Sequence, residues 1–195
     1  MHEALTNPQL DYLKDRWSDI RFMIESGVTE PWTTDFIAAL VRTMQPLRVF
    51  ETGLSIGETS EAIIKALEFS SKMRQKPAYF YGCDTNNDRF VRTKERLQSL
   101  IVFTFLKHMD AMTFLDGLHD EWFDVGFIDD WHIKEYVEKE IPLALKKIRP
   151  GGILLMHDVY SKHDLYEVCH EHGGVCLPTV PVHAMGSGIG IIEKL

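Results

Sequence analysis

The stretch Leu47-Arg-Val-Phe-Glu-Thr-Gly53-Leu-Ser-Ile-Gly57-Glu-Thr-Ser60 decides how the rest of the chain reads. Its first part, Leu47–Thr52, is a short run with Val, Phe and Thr, the composition of a buried strand. Gly53 and Gly57 then permit a sharp turn, and a helix near 58–69 begins directly behind them. Such a turn lets a ligand approach the main chain, while the new helix offers free N–H groups. Any strand–turn–helix unit of a wound sheet needs a similar turn, so the two glycines by themselves leave a structural and a binding role equally open.

Working outward, the same alternation repeats to the end of the chain. Strands are expected at 78–83, 101–106, 123–128 and 153–156, with helices at 88–99, near 111–118 and at 134–148 between them. Pro150-Gly-Gly152 turns into the strand at 153–156. A last helix near 162–171 stops at Gly173-Gly174, and strands near 175–180 and 188–193 follow. Strands alternating with helices of this length mean right-handed βαβ units. The last two strands have no helix between them and should form an antiparallel hairpin at one edge. The expected fold class is therefore α/β, a doubly wound, mostly parallel seven-stranded sheet, with ligands at the carboxyl ends of the strands.

Residues 1–45 read differently, as a helical appendage to a main domain over 46–195. Asn7-Pro8 has the signature of a helix start, and Leu10, Leu13, Trp17, Ile20 and Ile24 follow at helical spacing until Gly27. Thr33 or Thr34 is placed to cap a second helix bearing Phe36, Ile37, Leu40, Val41 and Met44, ending before Pro46.

Composition narrows the partners. The 195 residues are 45% hydrophobic and 26% charged, a globular balance, and a chain this long buries roughly 70% of its unfolded surface. Lys+Arg 21 against Asp+Glu 29 leaves a net charge of −8, which argues against nucleic acid or an anionic membrane as partner. Cys83, Cys169 and Cys176 are odd in number and lack CxxC spacing, so neither a disulfide framework nor a zinc knuckle is expected. No apolar run reaches membrane-spanning length and no signal peptide is visible at the start, so a cytoplasmic location is the expectation.

The polar residues that stand out fall at the strand ends. Glu51 closes the first strand and Asp84 the second. Asp110 follows the third, where it caps the short helix or bonds an adenine amino group, or does both. The fourth strand runs into Asp129-Asp-Trp131-His132 and the fifth into His157-Asp158. Three carboxylates and two imidazoles around one crevice exceed what helix capping requires. A dinucleotide fingerprint does not fit: position 55 is Ser, the third glycine is missing, and Glu51 would repel a pyrophosphate. A carboxylate there suits an amine-bearing or cationic ligand instead.

Taken together, Val49–Ser60, Cys83-Asp84, Phe123-Asp-Val-Gly-Phe-Ile-Asp129 and Arg149-Pro-Gly-Gly-Ile-Leu-Leu155 resemble the successive motifs of class I S-adenosylmethionine-dependent methyltransferases. Phe-Ile-Asp-Asp-Trp-His132 and Leu-Leu-Met-His-Asp158 are most similar to the small O-methyltransferases of the catechol type. The resemblance implies a Rossmann-like methyltransferase fold over residues 47–160 and S-adenosylmethionine as cofactor. It implies that Glu51, Gly53, Ser55 and Thr59 surround the methionine part, with Gly57 keeping the turn tight, and that Asp84 holds the ribose. Asp110 with Ala111 would meet the adenine, Trp131 would lie against its face, and Asp129 would face the sulfonium. In the catechol-type enzymes the strand-four Asp and an Asp-Asn pair bind magnesium, and a Lys acts as base. Here His132 stands at the Lys position and His157-Asp158 at the Asp-Asn pair. Asp129, His157 and Asp158 therefore form a candidate metal set altered away from magnesium, and His132 a candidate base with Asp129 beside it.

The expected activity is methyl transfer to a hydroxyl oxygen of a small molecule. A non-catalytic cofactor-binding subunit is the alternative, and a nicotinamide-dependent oxidoreductase is the third reading. Apolar residues on the N-terminal helices point to a homodimer.

Overall fold

The computed structural model describes residues 29–160, 163–179 and 188–195. The helix expected between Asn7 and Gly27 lies outside the described residues, as do 180–187.

Helix α1 (Pro31–Met44) starts earlier than the threonines predict. Glu30 occupies the N-cap with extended backbone and no side-chain cap, and Pro31 takes the first helical position. Proline there has a fixed φ suited to the helix and no N–H to leave unpaired, so it sets the start and puts Thr33 and Thr34 inside the first turn. The helix ends where Gln45 adopts a left-handed conformation ahead of Pro46.

The sheet has seven strands in the order β3-β2-β1-β4-β5-β7-β6. These are β1 (Arg48–Thr52), β2 (Tyr79–Asp84), β3 (Phe103–His108), β4 (Phe123–Ile128), β5 (Ile148–Met156), β6 (Val175–Pro178) and β7 (Gly188–Glu193). β1 to β5 pair in parallel, while β7 runs antiparallel to both β5 and β6, which gives the edge hairpin. The seven-stranded doubly wound class expected from the alternation is the observed one, and the order reverses between β1 and β4, where such sheets open a crevice. β5 starts at Ile148 rather than 153, because the Pro-Gly-Gly segment stays in the strand through a register shift against Phe123 and Val125. β3 begins two residues late, leaving Ile101 88% exposed ahead of it.

Two apolar layers sandwich the sheet. On one face, Ile37 and Val41 of α1 share a cluster with Val49, Phe80, Phe127, Ile63 and Leu67 from helix α2 (Glu58–Arg74), and Leu97 from helix α3 (Asn87–Leu97). On the other, Phe50, Phe123 and Ile128 meet Phe114 of α4 (Ala111–Asp116), Ile141 of α5 (Lys134–Lys147) and Val168 of α6 (His163–Glu171). α2 runs past the expected 69 because no breaker intervenes before Gln75, which is left-handed. No helix among the described residues is long and apolar enough to cross a membrane.

The amino ends of the central strands are fastened by Asp124. Its Oδ2 accepts the N–H groups of Leu47 and Arg48 at 2.9 Å each, and its Oδ1 accepts Arg149 Nε at 2.7 Å. This leaves the carboxyl ends free to carry polar chemistry. Midway along β4, a methyl group on Gly126 would stand 2.2 Å from Phe50 Cζ. Gly126→Ala should therefore lower stability by about 1–3 kcal/mol, the cost of overpacking a filled core, as a shift in urea midpoint at constant slope.

Candidate active site

The turn behind β1 is built around a close backbone approach. Gly53, at φ +79°, donates its N–H to Cys83 O at 3.0 Å, and a Cβ there would lie 2.1 Å from the carbonyl oxygen of Asp129. Only glycine lets the ends of β1 and β4 meet this closely. Glu51, 1% exposed, accepts Ser60 Oγ at 2.6 Å. Burial pushes its carboxyl well above the ordinary range against the Ser60 hydrogen bond, and the nearby Asp129 and Asp84 push the same way. Gly57 caps α2 against Thr93, and Thr59, two residues on, is buried.

Asp84 fastens this turn. Its Oδ2 accepts Ser55 N–H at 2.8 Å and its Oδ1 accepts Asn86 N–H at 2.7 Å. Each oxygen keeps a second lone pair for a ligand hydroxyl. Asp110 caps α4 through Thr113 N–H at 2.9 Å, and its hydrogen bonds to Thr113 hold the carboxyl below its usual range. Ala111 behind it is buried, while Trp131 is 54% exposed at the mouth of the crevice.

Between the ends of β4 and β5 the carboxylates and imidazoles interlock. His157, 6% exposed, places Nδ1 2.8 Å from Asp129 Oδ1 and Nε2 3.2 Å from Glu30 Oε2. His132 Nε2 lies 3.3 Å from Asp129 Oδ1 and 3.7 Å from Asp158 Oδ2, without an aligned hydrogen bond to either. Asp129 Oδ2 accepts Thr29 Oγ1 at 2.7 Å. Burial alone would raise Asp129, but His157 and His132 outweigh it and hold the carboxyl far below the carboxylate range. Burial likewise opposes charge on His157, yet Asp129 and Glu30 raise its proton affinity well above that of free imidazole. Asp158 sits at φ +59°, a left-handed conformation that costs a non-glycine residue of order 1–3 kcal/mol and clusters at functional sites. Burial raises its carboxyl, partly offset by His157 and His132.

Asp129, His132 and His157 bring one donor atom each within 4.8 Å of one another, and Glu30, His157 and Asp158 do the same. The structure thus splits the expected metal set: Asp129 and His157 join His132, while Asp158 belongs to the second group. Behind them, Asp130 and Glu140 line a small cavity together with Trp131, His132 and His157. Glu140 is fully buried and accepts Thr52 Oγ1 at 2.8 Å. Burial and the neighbouring Asp130 carboxyl push it well above the ordinary range.

A family model described as a methyltransferase domain matches residues 50–159, more than half of the chain. The chain belongs to this family. Solved structures agree on the fold of the methyltransferase. A putative O-methyltransferase from Klebsiella pneumoniae is 18% identical, with 86% of this chain and 82% of that one covered and a TM-score of 0.71. An O-methyltransferase from Bacillus cereus in complex with SAH is 16% identical, with coverages of 85% and 82% and a TM-score of 0.70. An SAH-bound methyltransferase from Podospora anserina is 13% identical, with coverages of 100% and 99% and a TM-score of 0.72. No curated protein matches the chain.

The methyltransferase carries site residues that sequence reasoning missed. Thr29 and Glu30 precede a helix start and reach the site only through the tertiary fold, with Glu30 127 positions from His157. Glu140 had one available signal, a glutamate on the apolar stripe Val137, Ile141, Ala144 of α5. Glu51 gives a test of the site's electrostatics. Its folded carboxyl is raised, so the folded state holds a proton that the unfolded chain releases, and stability falls as pH rises above about 4.5. Glu51→Gln keeps the Ser60 hydrogen bond and removes the ionisation. The ligand-free variant should melt higher than the parent at pH 7, with the difference shrinking towards pH 4.5 in a thermal scan series.

Proposed function

We propose that this methyltransferase moves a methyl group from S-adenosylmethionine to a hydroxyl oxygen of a small molecule. The observation that carries the reading is the convergence of Glu51, Asp84 and Asp129 on the Gly53 turn at the carboxyl ends of β1, β2 and β4. Such a cradle repels a pyrophosphate and suits a ligand bearing an amine, a sulfonium and ribose hydroxyls. The SAH named with two of the structural neighbours supports the same cofactor, and the description of the Klebsiella pneumoniae and Bacillus cereus structures as O-methyltransferases supports oxygen as acceptor. In this reading Glu51 accepts from the methionine amine, and Gly53, Ser55, Gly57 and Thr59 shape the turn around it. Asp84 takes the ribose hydroxyls, Asp110 and Ala111 border the adenine, and Trp131 offers its ring face. Asp129 faces the sulfonium and the acceptor. Catalysis is then mainly positioning, since nucleophile, methyl and sulfur must lie in line while the hydroxyl proton leaves.

The donor set beside the acceptor fits a divalent cation. Metal–ligand bonds near 2.1 Å put neighbouring ligand atoms about 3.0–3.4 Å apart. Asp129 Oδ1 lies 3.3 Å from His132 Nε2, within that range, and 2.8 Å from His157 Nδ1, a hydrogen-bond distance that a small movement would open to it. His132 Nε2 is buried and faces Asp129 and Asp158 without an aligned hydrogen bond to either, so it is turned towards the same carboxylates a cation would share. Two imidazoles with a carboxylate favour zinc, manganese or iron over magnesium. A cation held there supplies Lewis acidity that eases loss of the acceptor's hydroxyl proton. The second reading, with His132 as a metal-free base, draws on Asp129 and Asp158, which raise its proton affinity against the effect of burial.

Calorimetry with S-adenosylmethionine and NADH tests the cofactor. The parent should bind S-adenosylmethionine and not NADH, and Asp84→Ala should bind it about 10–100-fold more weakly, for loss of a charge-assisted acceptor worth roughly 1.5–3 kcal/mol. Preference for NADH would overturn the reading.

Chelation separates the two routes to the hydroxyl proton. With a metal in place, EDTA should abolish transfer and added zinc or manganese should restore it. With His132 as free base, EDTA has no effect, and activity rises with pH through a value above 6.5, because only neutral imidazole accepts the proton. His132→Ala should then cost roughly 100-fold in turnover.

A further inference from the structure

We propose that Glu30 is the positioning residue for His157, holding the hydrogen on its Nε2 and so presenting Nδ1 to the group formed with Asp129 and His132. The inference rests on the metal reading given above and adds to it a residue from outside the sheet. His157 is clamped from both sides, at 2.8 Å from Asp129 Oδ1 through Nδ1 and 3.2 Å from Glu30 Oε2 through Nε2. With one proton on the ring, one nitrogen donates and the other is left as a lone pair. Glu30 is placed to take the donated hydrogen, and Asp129 belongs to the donor group on the other side. Histidines that ligate metals almost always give their other N–H to a carboxylate or carbonyl, which fixes tautomer and ring orientation.

The local structure shows why Glu30 is available for this. It stands at the N-cap of α1, yet its side chain caps nothing. The carboxylate turns into the site, 7% exposed, and Thr33 Oγ1 donates to the same Oε2 at 3.2 Å. Thr33 in turn meets Thr179 Oγ1 at 2.8 Å, which ties this corner to the end of β6. The preceding Thr29 steadies Asp129 through Oδ2 at 2.7 Å, so consecutive residues hold two members of the donor group. The helix N-terminus adds a partial positive charge that favours an ionised carboxylate there.

The second donor group, Glu30 with His157 and Asp158, would make Glu30 itself a ligand and turn Nε2 to the cation. Its spacings from Nε2 are looser, 3.2 Å to Glu30 and 3.8 Å to Asp158. His132, whose Nε2 lies 3.3 Å from Asp129 Oδ1, belongs to the first group instead.

Zinc binding to the full chain tests the assignment without reference to activity. Competition calorimetry should show zinc bound by the parent, about 10–100-fold weaker binding by Glu30→Gln, and partial recovery in Glu30→Asp, with S-adenosylmethionine affinity unchanged in all three. Parent-like zinc affinity in Glu30→Gln would overturn the proposal and leave the metal site standing. No zinc or manganese binding by the parent would overturn the metal reading and this proposal together, with the cofactor reading still judged by its own titration. Nitrogen-15 spectra of the zinc-loaded parent decide the matter even where the variants fail to fold. Zinc on Nδ1 with the proton on Nε2 of His157 is the expected pattern, and zinc on Nε2 overturns it.

Discussion

Negative charge gathered at the buried end of a sheet is the constraint on which the site depends. Glu51, Asp84, Asp129, Asp130, Glu140 and Asp158 all stand near the carboxyl ends of β1, β2, β4 and β5 or line the cavity behind them. A low-dielectric setting does not tolerate that many ionised groups, so they divide into different states. Asp129 stays ionised because His157 and His132 face it, whereas burial biases Glu51 and Glu140 towards the protonated form. Asp84 meets backbone N–H groups on both oxygens, which offsets part of its desolvation. The result is a cradle with one firm anion, Asp129, at its centre and two proton-holding acids, Glu51 and Glu140, beside it.

Backbone geometry places that anion. The β1 and β4 ends touch through Gly53 and the Asp129 carbonyl, and Asp129 N–H donates to Thr52 O at 3.0 Å. His157 N–H donates to Ile128 O at 3.1 Å, extending the same ladder to β5. Three strand ends are thereby held in register by main-chain bonds. The side chains that emerge from them inherit that precision, which is what an in-line displacement needs.

Much of this was legible in the sequence, and for identifiable reasons. The Gly53 turn, the alternation of apolar runs with helical stretches and the acidic strand ends are local patterns, so the fold class and the placing of Asp84, Asp129, His132, His157 and Asp158 at one crevice follow from them. Boundaries slipped where local signals competed: Pro31 set the start of α1 ahead of two good capping threonines, and the Pro-Gly-Gly segment stayed within β5. The Asp110 alternatives illustrate another limit. Its cap on α4 is a contact within the chain and is visible, while an adenine contact involves a second molecule. Thr29 and Glu30 were beyond reach because nothing in a helix-start sequence marks which side chains a distant strand end will meet.

The segment ahead of β1 therefore has a double role that its own sequence conceals. Through Ile37 and Val41, both fully buried, α1 completes the apolar layer over Val49 and Ile63. Through Thr29 and Glu30, the residues directly ahead of it reach the charged end of the sheet. The polar residues run directly into that helix, so the packing energy of its apolar face, roughly 1.5–3 kcal/mol per buried aliphatic side chain, helps hold them in place. Local opening of α1 would expose Ile37 and Val41 and withdraw Glu30 from His157 in the same step. Site order is thus coupled to core packing through a helix outside the sheet, and the buried imidazole would lose one of its two carboxylates whenever that helix lifts.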